Sequence, residues 1–314
     1  MRALRRVKAF APATVANVSC GFDILGFAIE ALGDQVTVSF NDEARLRVLR
    51  IEGDGGKLPL EADKNTCAVA IHAMLLHLGS RQGMDIILEK GLPLGSGMGS
   101  SAASAAAALV AANVLLGEPF TKAQLVPFAM EAERVACGAA HADNVAPAIL
   151  GGFVLIRDYH PLDLVPLPVP EGLYCTLLHP HLELRTEDAR SVLKQQVSLK
   201  DATVQSGNIA GLVAGLYQND LALVSRSLKD VIAEPSRALL IPGFYALRTA
   251  VMQEGALGSG ISGSGPTIFV MSPSEEQARR VGAVAEALYQ ELGLGLDVYY
   301  SAINRQGAHV LETA

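Results

Sequence analysis

The stretch Pro93-Leu94-Gly95-Ser96-Gly97-Met98-Gly99-Ser100-Ser101-Ala102-Ala103 decides how the rest of the chain reads. Three glycines alternate with small or flexible residues, two serines follow, and an Ala-rich run begins. Residues 84–88, just upstream, are apolar and read as a strand. Residues 102–116 contain almost no helix breaker and are dominated by Ala, the strongest helix former. The order is strand, glycine loop, helix N-terminus. Glycines admit positive φ and close approach of backbone to a ligand. A helix start presents unpaired N–H groups and a partial positive charge, which suit an anion. Ser100 or Ser101 is the expected N-cap, and either hydroxyl is able to ligate a cation. The stretch is therefore a cradle for a polyphosphate or a tight turn capped by serine. Glycine density and the double serine favour the cradle. Neither standard glycine motif fits, because Ser100 stands where the P-loop has Lys and where the dinucleotide fingerprint has glycine.

The chain has 314 residues, half of them hydrophobic, enough for a sizeable core and, as a prior, two domains. Twenty-five Lys and Arg against 32 Asp and Glu give a net charge of −7. An acidic chain without a basic cluster argues against nucleic-acid binding. The densest basic run, Arg2, Arg5 and Arg6, reads as a solvated terminus. Cys20, Cys67, Cys137 and Cys175 lie far apart without metal-type spacing, so reduced thiols and a cytoplasmic location are expected. The N-terminus has no apolar h-region, so no signal peptide is expected. The Ala-rich helix falls short of the roughly 20 apolar residues that span a bilayer, so no membrane association is expected. Asn17-Val18-Ser19 is a formal glycosylation sequon, read as a chance match in a cytosolic chain.

Taken in order, residues 7–12, 34–40 and 45–51 read as strands. Asn17 and Asp23 lie in a loop-like stretch beside Gly21, either as turn residues bonding their own backbone or as substrate hydrogen-bonding groups. Residues 67–78 form a helix capped by Asp63 or Asn65. A further helix starts at Thr121 or Lys122, runs to about 136, and carries Glu131 and Glu133. His141-Ala142-Asp143-Asn144 follows, then a strand at 153–156. Residues 163–171 contain Pro166, Pro168 and Pro170 and are the expected linker, which divides the chain into 1–160 and 161–314. The second half reads as a strand at 174–179, helices near 202–218, 221–232 and 274–293, and strands at 267–271 and 298–303. Gly258-Ser259-Gly260-Ile261-Ser262-Gly263 matches G-x-G-x-x-G literally. A strand rather than a helix follows it, so it reads as a glycine loop against the active site and not as a dinucleotide fingerprint.

These segments together resemble the GHMP small-molecule kinases, whose phosphate loop is written P-x-x-x-G-L-G-S-S-A-A; here Met98 takes the Leu position. Ala13-Thr14-Val15-Ala16-Asn17-Val18-Ser19-Cys20-Gly21-Phe22-Asp23 is similar to the first motif, A-T-x-A-N-x-G-P-G-F-D, of the branch that acts on L-homoserine. It departs from that motif at Ser19 and Cys20 and lacks the Lys that other members carry there. H-x-D-N-x-x-P-A-x-x-G-G at His141–Gly152, Thr186-Glu187-Asp188-Ala189-Arg190, Glu234-Pro235-Ser236-Arg237 and G-x-S-G-S-G-P-T at the end of the glycine loop extend the match over most of the chain.

The resemblance implies a two-domain α+β fold, with a ribosomal protein S5 domain 2-like N-terminal domain, a ferredoxin-like C-terminal domain and the site in the cleft between them. It implies ATP as phosphoryl donor, Mg²⁺ as cofactor, L-homoserine as acceptor in threonine biosynthesis, and a homodimer. ATP falls to Asn65, to Pro93 through Ala103, and to Gly263. Asn65 matches a residue near the nucleotide base, although capping alone also accounts for it. Glu133 matches the family's metal-binding Glu better than Glu131 does, and Ser101 is the serine matched to the metal. Mg²⁺ prefers one or two carboxylates with phosphate and water, which such a pair satisfies. Asn17, Asp23, His141, Asn144, Thr186, Arg190 and Arg237 are the implied substrate-binding residues, the arginines suiting a carboxylate through bidentate contacts. Asp143 stands at the base position of some relatives, grouped with Ser101 and Glu133 as catalytic. Rival readings are a sister kinase acting on mevalonate or a sugar, and a non-catalytic ligand sensor on the same fold.

Overall fold

The computed structural model describes residues 4–314; Arg2 of the N-terminal basic run and the Cys137 side chain lie outside the described residues. Strand β1 (Arg6–Ala16) shows why the first sheet has one buried face: Val7, Ala9, Ala11, Ala13 and Val15 alternate inward at full burial. It pairs antiparallel with β2 (Leu25–Asn41). Beyond β2 lies β4 (Gly83–Glu89), and β3 (Leu46–Glu52) runs parallel to β4 at the edge. The far end of β2 pairs with β5 (Phe153–Tyr159), which forms a hairpin with β6 (Leu162–Leu167).

Helices α1 (Thr66–His77), α2 (Ser100–Leu115), α3 (Lys122–Cys137) and α4 (Val145–Leu150) pack with this sheet. Helix α2 is at the centre, against β1, β2, α1, α3 and α4. Beyond its first turn it is buried and mostly apolar nearly all round, and a helix of that kind is stable only when surrounded. Its alanines let these neighbours approach closely. A buried helix at the centre of the domain holds its N-terminus, and the glycine loop that leads into it, in a fixed place.

The second sheet, β7 (Tyr174–Pro180), β8 (Gly258–Ile261), β9 (Ile268–Ser272) and β10 (Leu296–Ala302), is antiparallel with order β10-β7-β9-β8. Period-2 alternation divides its side chains between two cores. Cys175, Leu177, Phe269 and Met271 join the core of the first sheet, whereas Leu178, Ile268 and Val270 pack with Phe244, Leu247, Val281 and Tyr289. These last come from α9 (Phe244–Gln253) and α10 (Glu275–Glu291). Short α5 (Thr186–Ser191), long α6 (Leu199–Gln218), α7 (Leu221–Ser227) and α8 (Glu234–Arg237) lie between β7 and α9. The chain ends in β11 (His309–Thr313), which returns to pair with β1.

Several sequence expectations change. Residues 163–171 are not a free linker: most of that stretch is β6, with Pro166 paired to Val154 on an edge strand, where a missing N–H is tolerated. Neither serine caps α2. The N-cap is Gly99, in left-handed backbone at φ 67°, and a Cβ there would lie 2.0 Å from Thr14 Oγ1. Most of 258–263 is strand β8 and not loop. A Cβ on Gly260 would lie 2.8 Å from the Phe269 ring, so that glycine serves close packing. Helix α7 stops at Ser227, and α4, α9 and β11 are additional elements.

Candidate functional site

A cleft of about 400 Å³ lies where the glycine loop, α3, the 17–23 loop, α5, α8 and the 262–266 turn converge. At one end, Gly95, Gly97 and Gly99 take φ of 66°, 78° and 67°. Gly97 has no alternative residue, since a Cβ would lie 2.5 Å from Ser262 O and 2.7 Å from Gly265 O. The second sheet pins this loop: Ser262 Oγ donates to Gly97 O at 2.7 Å and Thr267 N donates to Ser96 O at 3.3 Å. Because Gly99 carries no side chain to cap α2, the helix's first N–H groups and its dipole face the cleft. Leu94 through Gly97 and Gly99 through Ser101 line it. Met98, Ala102 and Ala103 are fully buried behind it in the core, and Pro93 O accepts from Ser96 Oγ at 2.8 Å.

Ser101 Oγ donates to Glu133 Oε1 at 2.5 Å, joining the first turn of α2 to α3. Glu133 is buried, whereas Glu131 is on the surface with Arg134. The pair offers two hard oxygens beside the anion cradle, which fits Mg²⁺ completed by phosphate and water. Among the described residues no group of three or more His, Cys, Asp or Glu is arranged to hold a metal. Asn65 caps α1, accepting from Cys67 N at 3.1 Å, and also lines the cleft.

The neighbouring loops carry the polar residues of the cleft. Asn17 Nδ2 donates to Gly263 O at 2.7 Å, and Asn17 Oδ1 accepts from Asp23 N at 2.9 Å. Asn17 thus shapes its turn and lines the cleft as well. Arg190 Nη2 donates to Asp23 Oδ1 at 3.2 Å and to His141 Nε2 at 2.8 Å. That contact assigns the ring proton to Nδ1, 3.8 Å from Asp23 Oδ1. Burial, aided by Arg190, lowers the His141 pKa against the pull of Asp23, consistent with a neutral ring. Arg237 is buried, donating through Nε to Ala189 O and through Nη1 to Gly263 O, both at 3.0 Å, with Phe22 5.1 Å away. Burial lowers its pKa, and Arg190 adds to this. Asn144 Oδ1 accepts from Thr14 Oγ1 at 2.7 Å, and Thr186 Oγ1 lies 3.3 Å from Ser264 Oγ.

Asp143 is buried and also lines the cleft. Burial first, then the charges of Asp23 and Glu133, push its carboxyl up to about 7, with Arg190 opposing.

Sequence reasoning missed a buried cluster beneath the loop. Lys90 Nζ pairs with Asp34 and donates to Ser100 O at 3.0 Å, Ser100 Oγ at 2.7 Å and Ser104 Oγ at 3.0 Å. Lys90 also lines the cleft. The available signal was an Asp inside the apolar strand 34–40 and a Lys between strand and glycine loop. Tyr159 was missed too; its hydroxyl donates to Asp23 O at 2.7 Å and accepts from Ala142 N at 3.3 Å, tying two cleft loops together. An anion cradle, a hard-oxygen pair and a pocket of mixed charge in one cleft suit transfer of a phosphoryl group to a small zwitterion.

The model of the GHMP kinases N terminal domain matches residues 65–152 and that of GHMP kinases C terminal matches 212–291. The homoserine kinase of Chlorobium phaeovibrioides is 54% identical, covering 98% of this chain and 100% of its own. That of Chloroherpeton thalassium is 49% identical over the same shares. The crystal structure of homoserine kinase from Cytophaga hutchinsonii superposes with a TM-score of 0.94 at 52% identity, covering 98% of this chain and 97% of that one. L. major mevalonate kinase in complex with R-mevalonate shares the fold, with a TM-score of 0.70 at 16% identity, covering 94% of this chain and 96% of that one. Matched in order by both domain models, and over nearly its whole length by relatives of this identity, the chain belongs to the GHMP kinase family.

Proposed function

We propose that this protein is an ATP-dependent kinase that transfers the γ-phosphoryl group to the side-chain hydroxyl of L-homoserine, giving O-phospho-L-homoserine for threonine biosynthesis. The observation that carries the reading is the convergence of the glycine loop, the Ser101–Glu133 pair and the Asp23–His141–Arg190 cluster in one cleft. Likeness to the named homoserine kinases supports the same acceptor. We assign residues 1–160 to the ATP-binding domain and 161–314 to the C-terminal domain, except that β6 and β11 complete the sheet of the first.

Phosphoryl transfer rests on positioning and charge neutralisation. In this reading the N–H groups of the loop and of the α2 N-terminus hold the phosphates, and Asn65 lies toward the base. Ser101 and Glu133 hold Mg²⁺, which neutralises charge on the β- and γ-phosphates when bound. Arg190 and Arg237 face the acceptor's carboxylate, Asp23 its ammonium, and His141, Asn17 and Asp143 orient the hydroxyl. The buried free thiols of Cys20, Cys67 and Cys175 suit a reducing cytoplasm. No helix among the described residues is long and apolar enough to cross a membrane.

A coupled assay for ADP release tests the reading across L-homoserine, mevalonate and a panel of sugars. L-Homoserine is expected to give the highest kcat/KM. Preference for another alcohol sinks the assignment, and no ADP release with any of them favours a ligand sensor.

A further inference from the structure

The departure of the first motif, Ser19-Cys20 for Gly-Pro, has no part in the transfer scheme. Asn17, Val18 and Ser19 occupy left-handed backbone in succession, at φ 69°, 39° and 60°. Residues with a Cβ seldom adopt it, so Ser19 holds a position that suits glycine. The following residue is anchored: Cys20 Sγ donates to Ser227 O at 3.3 Å and Cys20 O accepts from Gln205 Nε2 at 3.0 Å. The Ser19 hydroxyl, by contrast, is buried without a hydrogen-bond partner.

A second orphan lies with it. Glu234 is 5% exposed; its Oε1 pairs with Arg248, and its Oε2 is buried with no partner. Ser19 and Glu234 line one recess with Asn17, Asp230 and Arg237. Its volume is about 10 Å³, near the lower limit for a single water. A cation is poorly served there. Asp230 already accepts from Gln205 Nε2 and from the N–H groups of Ile232, Ala233 and Glu234, and the Arg237 guanidinium sits in the wall. A carboxylate acceptor and a hydroxyl, next to a fixed positive charge, call for a small neutral donor.

We propose that one bound water bridges Ser19 Oγ and Glu234 Oε2 and that this bridge positions the substrate end of the cleft. Asn17, two residues before Ser19, holds Gly263 O and Asp23 N; Glu234 starts the short helix that ends in Arg237. The water thus ties the loop to the arginine on either side of the acceptor pocket. Burial raises the Glu234 pKa to about 7, as expected of a carboxylate held short of polar partners. The water site stands on geometry alone; its link to substrate rests on the proposed function.

A crystal structure of the full chain without substrate tests the site. An ordered water within hydrogen-bond distance of both oxygens is expected. An empty recess, or a direct Ser19–Glu234 hydrogen bond that closes it, overturns the proposal, as does displacement by a substrate group after soaking with L-homoserine. Steady-state kinetics of Ser19→Ala and Ser19→Gly test the positioning. Both remove the hydroxyl, and in both the KM for L-homoserine should rise about three- to tenfold, with kcat and the KM for ATP within about twofold. Wild-type KM in Ser19→Gly overturns the positioning role. Failure of the functional reading is separately visible, because wild-type enzyme would then release no ADP with L-homoserine while the water remained in place.

Discussion

Ser101 Oγ and Glu133 Oε1 meet at 2.5 Å across two helices, and both helices are held by burial rather than by the contact itself. Helix α2 is fixed by its burial and α3 packs along it, so the two oxygens are preorganised beside the anion cradle. Ser101→Ala and Glu133→Gln should each lower turnover by roughly two to three orders of magnitude, comparable to losing one preorganised charge-stabilising group. Both should shift the magnesium dependence of the rate. Wild-type turnover with an unchanged magnesium requirement in Glu133→Gln would remove it from the metal site.

Arg237 gives a second expectation. Its Nε and Nη1 are committed to Ala189 O and Gly263 O, so the guanidinium plane is fixed relative to α5 and the 262–266 turn. Lysine carries the charge but cannot reproduce that fork. Arg237→Lys should raise the KM for L-homoserine and leave that for ATP nearly constant. A shift in the ATP constant instead would assign Arg237 to the nucleotide side.

Glycine at position 99 is a third point of test. Any Cβ there enters the Thr14 hydroxyl, and the backbone is left-handed. Gly99→Ala should displace the start of α2, raise the KM for ATP at least tenfold and lower the thermal midpoint by several degrees, as a cost of about 1–3 kcal/mol implies. Unchanged ATP affinity measured by calorimetry would show that the α2 N-terminus does not hold the phosphates.

The fold was legible where one period dominated. The Ala-rich run after three glycines read as a helix, and strands 7–12, 34–40 and 84–88 alternated or ran largely apolar. The linker was misread because proline signals a break locally, whereas an edge strand with one free side accepts it. The capping serine was misread because the space beside Thr14, a contact between distant segments, excludes any side chain at Gly99. For the same reason the Lys90–Asp34 pair escaped notice: residues 56 apart meet only in the tertiary structure. The candidate residues Asp23, His141 and Arg190 come from three segments, and the motifs that carried them marked each one without showing their mutual contacts.

Burial of Asp143 makes stability depend on pH in a stated direction. Its folded pKa of about 7 lies above the ordinary value near 3.8, so the native state binds the proton more tightly than the unfolded chain. Between those values the native state holds more protons, and stability falls as pH rises; below about 4 the effect vanishes. Asp143→Asn should remove this component and make the substrate-free protein more stable than wild type at pH 8, by on the order of a few kcal/mol at most. Denaturant unfolding at pH 5 and pH 8 checks it, and a wild-type advantage that grows with pH would contradict it.

The same carboxyl separates two mechanisms. A general base must be ionised to accept the hydroxyl proton, and a residue that only orients the acceptor need not be. A loose transition state needs little help from a base, and the first motif lacks the Lys that accompanies Asp in related kinases. Asp143 therefore orients the acceptor in our reading. With L-homoserine saturating, Asp143→Asn should reduce turnover by less than about tenfold and act mainly on KM. Asparagine resembles the protonated acid, so variant and wild type should converge as pH falls from 8 to 6. A base would behave otherwise: turnover would drop by about two to four orders of magnitude in the variant, and wild-type turnover at saturating L-homoserine would itself fall steeply below about pH 7. A thousandfold loss in turnover at unchanged KM would make Asp143 the base and overturn the orienting role.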